Sequence, residues 1–207
     1  MKIEINLKII FAILIFLLIN NLSTYIIFLI FVLIHEFSHL IVGLILGGKP
    51  KRMIVSVFGV SLEFYSYVKA KSLYKIIFYL IGPFVNIIIA CFIYFNYSRD
   101  NIMIEKIMII NFAIGIFNLI PILPLDGGKI IKEVLKLIFN AKNANRLSIY
   151  ISKTILILIT GIYGVLIIKI QNLSILFLII YLWYLYKIEE KKYYIYMKTY
   201  KSIGNMI

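Results

Sequence analysis

The sequence predicts an all-α polytopic membrane protein, with about six transmembrane helices and a short membrane-surface β-hairpin between the second and third. Three observations predict it. Hydrophobic residues fill 63% of the 207 positions and mean hydropathy is +1.01, against roughly 45–50% apolar content in a soluble domain, so lipid is the solvent for most side chains. The apolar residues are gathered into runs, several of them near the roughly 20 residues that cross a hydrocarbon core as a helix. The basic residues fall between these runs rather than along one face.

The first run, Leu7–Ile19, is short and follows Lys2 and Lys8, as a secretory signal would. Asn20-Asn21-Leu22-Ser23-Thr24 lacks the small-x-small pattern of a cleavage site, so the run is read as a retained first span. The second span is Tyr25–Leu46. Gly47–Lys75 is too polar to cross. Within it Met53, Val55 and Val57 alternate with Ile54, Ser56 and Phe58, and Gly47, Gly48 and Gly59 punctuate the stretch, which predicts the hairpin. Ile76–Phe95, Ile102–Pro121, Ile151–Ile168 and Leu173–Tyr186 complete the six, with Lys8 and Lys187 snorkelling from the short first and last spans. The residues after Tyr186 are too few for another folded domain, so 1–207 is expected to be one intramembrane domain.

A net charge of +13 on a soluble protein would point to nucleic acid, but that requires a basic face, and none is present. Lys and Arg in short loops instead mark segments retained in the cytoplasm. With both termini cytoplasmic, only Arg99, Lys106 and Lys169 of the 22 basic residues fall on the opposite side. The chain is expected to be a multi-pass cell-membrane protein, and its richness in Lys, Ile and Asn suggests a bacterial, AT-rich source. The single cysteine, Cys91, permits no disulfide framework and no Cys-based metal site. Tyr193, Tyr194, Tyr196 and Tyr200 among lysines fit anchoring at an anionic membrane surface.

The second span contains His35-Glu36-Phe37-Ser38-His39, an H-E-x-x-H pattern holding both histidines of the chain. On a helix, residues four apart share a face, so two imidazoles can converge on one ion while Glu36, about 100° round, reaches a water on it. Zinc held by two His and a carboxylate keeps one position for water and lowers its pKa to about 7. Glu36 is the only charged side chain between Tyr25 and Leu46, and a charge at mid-span costs roughly 2.5–3.5 kcal/mol, so the cluster is functional by default. The bland alternative, a polar staple between helices, ordinarily uses Ser, Thr, Asn or Gln.

A zinc site with two His needs another protein ligand. Of nine acids, Glu4, Glu63, Asp100, Glu105, Glu133, Glu189 and Glu190 lie in termini, loops or a basic stretch, which leaves Asp126 beside Glu36. Asp126 closes Asn118-Leu-Ile-Pro121-Ile-Leu-Pro124-Leu-Asp126-Gly-Gly, whose prolines and glycines preclude a regular helix. Taken alone this segment reads as a span-ending turn; beside the histidine motif it reads as the source of the third ligand.

These elements, with Gly82-Pro83-Phe84-Val85-Asn86 in the third span, resemble the site-2 protease family of intramembrane zinc metalloproteases. Six spans and a short chain resemble its bacterial stage IV sporulation factor FB branch. The resemblance implies cleavage of a membrane-tethered protein within or near the bilayer. It also implies one zinc per chain on His35, His39 and Asp126, acid/base work by Glu36, and substrate-holding or site-shaping roles for Asn86 and Asn118. Helix–helix hydrogen bonding is the other reading of the two asparagines. Partners expected from it are the substrate, the lipid bilayer and a membrane regulatory protein. The chain departs from that branch in leaving no room for a C-terminal CBS domain. A metal transporter or sensor using the same His/Asp cluster is the alternative from another class; it has no need of Glu36 as an acid/base.

Overall fold

The computed structural model describes residues 2–5, 22–56, 59–64, 71–97, 101–170 and 173–204. The predicted first span, Leu7–Ile19, lies outside the described residues. In chain order the elements are β1 (Lys2–Ile5), α1 (Leu22–Ile45), β2 (Pro50–Ser56), β3 (Gly59–Phe64), α2 (Ser72–Asn96), α3 (Ile102–Leu119), α4 (Asp126–Ile138), α5 (Ala141–Ile170) and α6 (Leu173–Gly204). The described chain forms two compact units, Met1–Leu119 and Ile120–Ile207.

In the first unit α2 packs against both α1 and α3, and α1 also meets α3. The strands form one sheet in the order β1-β2-β3, with β1 parallel to β2 and β2 antiparallel to β3 in the register Met53↔Leu62 and Val55↔Val60. The parallel β1 edge has no counterpart in the sequence reading, because four residues of alternation, KIEI, are too few to signal a strand by periodicity. The helices bury a polar seam containing His35, His39, Asn86 and Asn111, and turn Leu33, Phe37, Phe84, Ile88 and Phe92 outward. So much exposed apolar surface is what lipid-facing helices require and what a soluble monomer avoids.

In the second unit α4 packs on α5 and α5 on α6, around Ile122, Leu156, Leu182 and Tyr186. The amphipathic helix α4 was not anticipated. Lys129, Lys132, Glu133 and Lys136 make it too polar for a hydropathy run, and Gly127-Gly128 reads as a breaker. Helices α5 and α6 run past the predicted spans 151–168 and 173–186 for a related reason: hydropathy marks where lipid is, and the helix continues into polar sequence. Asn140 Oδ1 caps the backbone N–H of Asn143 at the start of α5, and Lys187–Glu190 and Glu189–Lys192 pairs support the polar turns of α6. Among the described residues four helices are long and apolar enough to cross a membrane, within Ser23–Ile45, Ser72–Asn96, Ile102–Leu119 and Ala141–Leu166, and the protein is a multi-pass membrane protein.

Candidate metal centre

His35 and His39 lie one turn apart on α1, 3% and 4% exposed. A buried imidazole must satisfy two ring nitrogens, and the partners here fix which one carries the proton. The carbonyl oxygen of Ile107 can only accept, so it receives Asn111 Nδ2 at 2.9 Å, which leaves Asn111 Oδ1 to accept from Asn86 Nδ2 at 3.0 Å. Asn86 Oδ1 then stands 2.8 Å from His35 Nδ1 and can only accept, so His35 is protonated on Nδ1. Asn86 Nδ2 also approaches the Phe31 carbonyl at 3.4 Å. His39 Nδ1 donates to the Phe78 carbonyl at 2.6 Å. With both rings neutral, both Nε2 atoms present lone pairs, and they face each other at 3.2 Å. Two lone pairs this close repel, and a cation shared between them reverses the sign of the interaction. The donor chemistry fits zinc, for which neutral imidazoles are standard ligands and Nδ1–H bonds to a carbonyl and an amide hold the rings in place.

The local sequence explains how α2 comes so close. A Cβ on Gly82 would collide with His39 Nε2 and would lie 2.7 Å from His35 Nε2, so this position admits no side chain. Pro83 cannot donate to the Tyr79 carbonyl, which weakens the helical turn beside the Phe78 carbonyl that His39 uses. A Cβ on Gly115 would stand 2.7 Å from Ile87 Cγ1 and 3.0 Å from the Pro83 carbonyl, so α3 presses on α2 where Asn86 and Asn111 meet. Glu36 follows His35 on α1 and is half-buried.

In the second unit Asp126 opens α4 and is 5% exposed. Its carboxylate sits at a helix N-terminus, where the backbone dipole favours negative charge, and Lys129 Nζ meets its Oδ1 at 3.2 Å. The segment before it is pinned: Leu123 N–H donates to Ser152 Oγ at 3.0 Å, and Leu125 N–H to the Ile122 carbonyl at 2.8 Å. A Cβ on Gly128 would lie 2.5 Å from Ile122 C and from Leu123 N, so the glycine lets the first turn of α4 fold down on that segment.

The structure thus brings His35, His39 and Asn86 together in one unit and buries Asp126 at a helix start in the other. Asn86 spends its amide on His35, Asn111 and Phe31, and Asn118 donates to the Ile114 carbonyl of its own helix at 3.0 Å. Sequence reasoning passed over Asn111 and Gly115. Asn111 carried the signal available to it, a costly amide inside an apolar span, but stood in no motif.

Residues 101–162 match the model of Peptidase family M50. No curated protein sequence matches the chain. Among solved structures the fold is similar to that of the site-2 protease from Methanocaldococcus jannaschii, with a TM-score of 0.67, 18% sequence identity, and coverage of 90% of this chain and 89% of that one. The family resemblance read from the motifs and the family model agree.

Proposed function

We infer that the chain is an intramembrane metalloprotease of the site-2 protease family, with His35, His39 and Asp126 as zinc ligands and Glu36 as general acid and base. The observation that carries this reading is the facing pair of Nε2 atoms, each made a lone-pair donor by a separately anchored Nδ1–H. A carboxylate is the third donor that two neutral imidazoles need for zinc, and in this reading the buried Asp126 supplies it.

Zinc, when bound, supplies a Lewis acid for the scissile carbonyl and makes a water acidic enough to attack near neutral pH. Asn86 and the Phe78 carbonyl hold the imidazoles in their ligand tautomers. Glu36 accepts a proton from the attacking water as the new C–O bond forms, then returns it to the leaving nitrogen as the C–N bond breaks. The substrate is a membrane-tethered protein. Its helix must unwind locally before cleavage, because its carbonyls are otherwise engaged by intrahelical hydrogen bonds. Six spans with both termini in the cytoplasm complete the proposed topology.

Co-expression with single-span substrates, comparing wild type with Glu36→Gln, tests the reading. Wild type should cut; Glu36→Gln should keep its zinc and lose cleavage by at least about 10²-fold, the low end of what a positioned acid/base contributes. Wild-type cleavage by Glu36→Gln would overturn it, and unchanged metal transport by that variant in a protein that never cuts would favour a transporter.

A further inference from the structure

The second unit holds a cavity of about 240 Å³ that takes no part in the metal centre, lined among others by Lys132 of α4, Asn145 of α5, and Glu189, Lys192, Tyr193 and Tyr196 of α6. Two of its polar groups lack what burial demands. The carboxylates nearest Lys132 are each engaged by another lysine, Glu133 by Lys136 at 2.6 Å and Glu189 by Lys192. Lys132 is left with no hydrogen bond or ion pair among the described residues. Burial first, and then the Lys136 ammonium, hold its pKa below the usual lysine value, although the Glu189 and Glu133 carboxylates pull the other way. Asn145 Oδ1 is buried and accepts no hydrogen bond among the described residues.

The two deficits specify a ligand. A desolvated ammonium calls for an anion, and a buried amide oxygen calls for an O–H or N–H donor. Depth narrows the source. The apolar part of α6 ends near Tyr186, and Glu189 to Tyr196 follow within about three turns, at the level where tyrosines and lysines meet lipid headgroups. We propose that this cavity binds a phosphate ester that carries a hydroxyl, the phosphate on Lys132 and the hydroxyl donating to Asn145 Oδ1. A phosphatidylglycerol headgroup presents this chemistry from the membrane; glycerol 3-phosphate presents it from solution. The site is separate from proteolysis, since neither Lys132 nor Asn145 belongs to the zinc machinery.

The full chain would be placed in phosphatidylcholine nanodiscs, in nanodiscs that also contain phosphatidylglycerol, and in phosphatidylcholine with added glycerol 3-phosphate. Thermal unfolding and native mass spectrometry would be read for wild type, Lys132→Met, Lys132→Arg and Asn145→Leu. Wild type should unfold at higher temperature with one of the two phosphate esters and retain it; stabilisation by phosphatidylglycerol alone assigns the headgroup, by glycerol 3-phosphate alone the soluble ester. Lys132→Met should unfold at higher temperature than wild type in phosphatidylcholine, because a stranded cation is gone, and bind the ester at least about tenfold more weakly. Lys132→Arg should keep binding, and Asn145→Leu should weaken it. Equal retention by wild type and Lys132→Met, a Lys132→Met protein that unfolds earlier, or no response of wild type to either ester would overturn the proposal.

Discussion

His35 does not hold itself in place: its Nδ1–H is fixed by Asn86, whose amide is fixed by Asn111, whose amide is fixed by the Ile107 carbonyl. Such chains tune metals without touching them, and removing an outer partner ordinarily costs 10–100-fold in metal affinity. Asn86→Leu should therefore lower zinc affinity by about 10–100-fold in a chelator competition, and Asn111→Leu should act in the same direction. A role for Asn86 in substrate holding would show differently, as a raised KM with unchanged zinc affinity. Gly82→Ala tests the opposite error, too much side chain. Its Cβ would fall on Nε2 of both His35 and His39, so on the proposed reading the variant should lose zinc and about 1–3 kcal/mol of stability by thermal unfolding. Asn86 was named through its own motif, but its bond to His35, and Asn111 altogether, were hidden by distance along the chain. H-E-x-x-H is a local periodicity, whereas His35 meets Asn86 across 51 residues and Asn86 meets Asn111 across 25.

At the scale of elements, the start of α4 is where sequence and structure diverge most usefully. Pro121, Pro124, Asp126 and the glycine pair read as a turn that stops a span, and the structure shows that the turn also starts a helix, with Asp126 in its first turn. Both functions suit an aspartate, so turn chemistry alone could not say whether it is a ligand. Asp126→Asn separates them: asparagine suits the same turn, yet it is neutral and a weaker ligand for zinc. A folded variant with zinc and cleavage both sharply reduced supports ligation; full zinc and full cleavage would make Asp126 a turn residue only. The hydrogen bond from Leu123 N–H to Ser152 Oγ should matter independently of the metal. Ser152→Ala leaves a buried N–H unsatisfied and should cost about 1–3 kcal/mol in unfolding free energy. At the polar end of α6, hydrogen bonds from Lys187 and then Tyr186 hold the Glu190 carboxyl below its ordinary pKa of 4.5. A depressed folded pKa contributes stability above the unfolded value and loses it as pH falls through the folded one. Wild type and Glu190→Gln should thus differ in melting temperature near pH 7 and converge in acid.

Over the whole molecule, hydropathy made the second, third, fourth and fifth spans legible, because lipid exposure demands apolar outward faces whatever the packing inside. The helix α4, the polar extensions of α5 and α6 and the parallel β1 edge were hidden, since each is set by amphipathic packing, capping or non-local pairing, and none leaves an apolar run of membrane length. Orientation is a further whole-molecule property, and it rests on charge alone. The basic residues crowd the segments around Lys49, Arg146 and Lys198, while the segment between the third and fourth predicted spans carries Arg99 with Asp100. Short loops rich in Lys and Arg resist translocation, so the first three should be cytoplasmic and the last should lie across the membrane. A reporter active only in the cytoplasm should work when fused after Lys49, Arg146 or Lys198 and fail after Arg99. The Arg99 fusion decides most, because that segment separates the span bearing Asn86 from the span bearing Asn111. If the two run antiparallel through the bilayer, their connection must cross to the far side; activity of the Arg99 fusion would place it inside and refute the six-span topology.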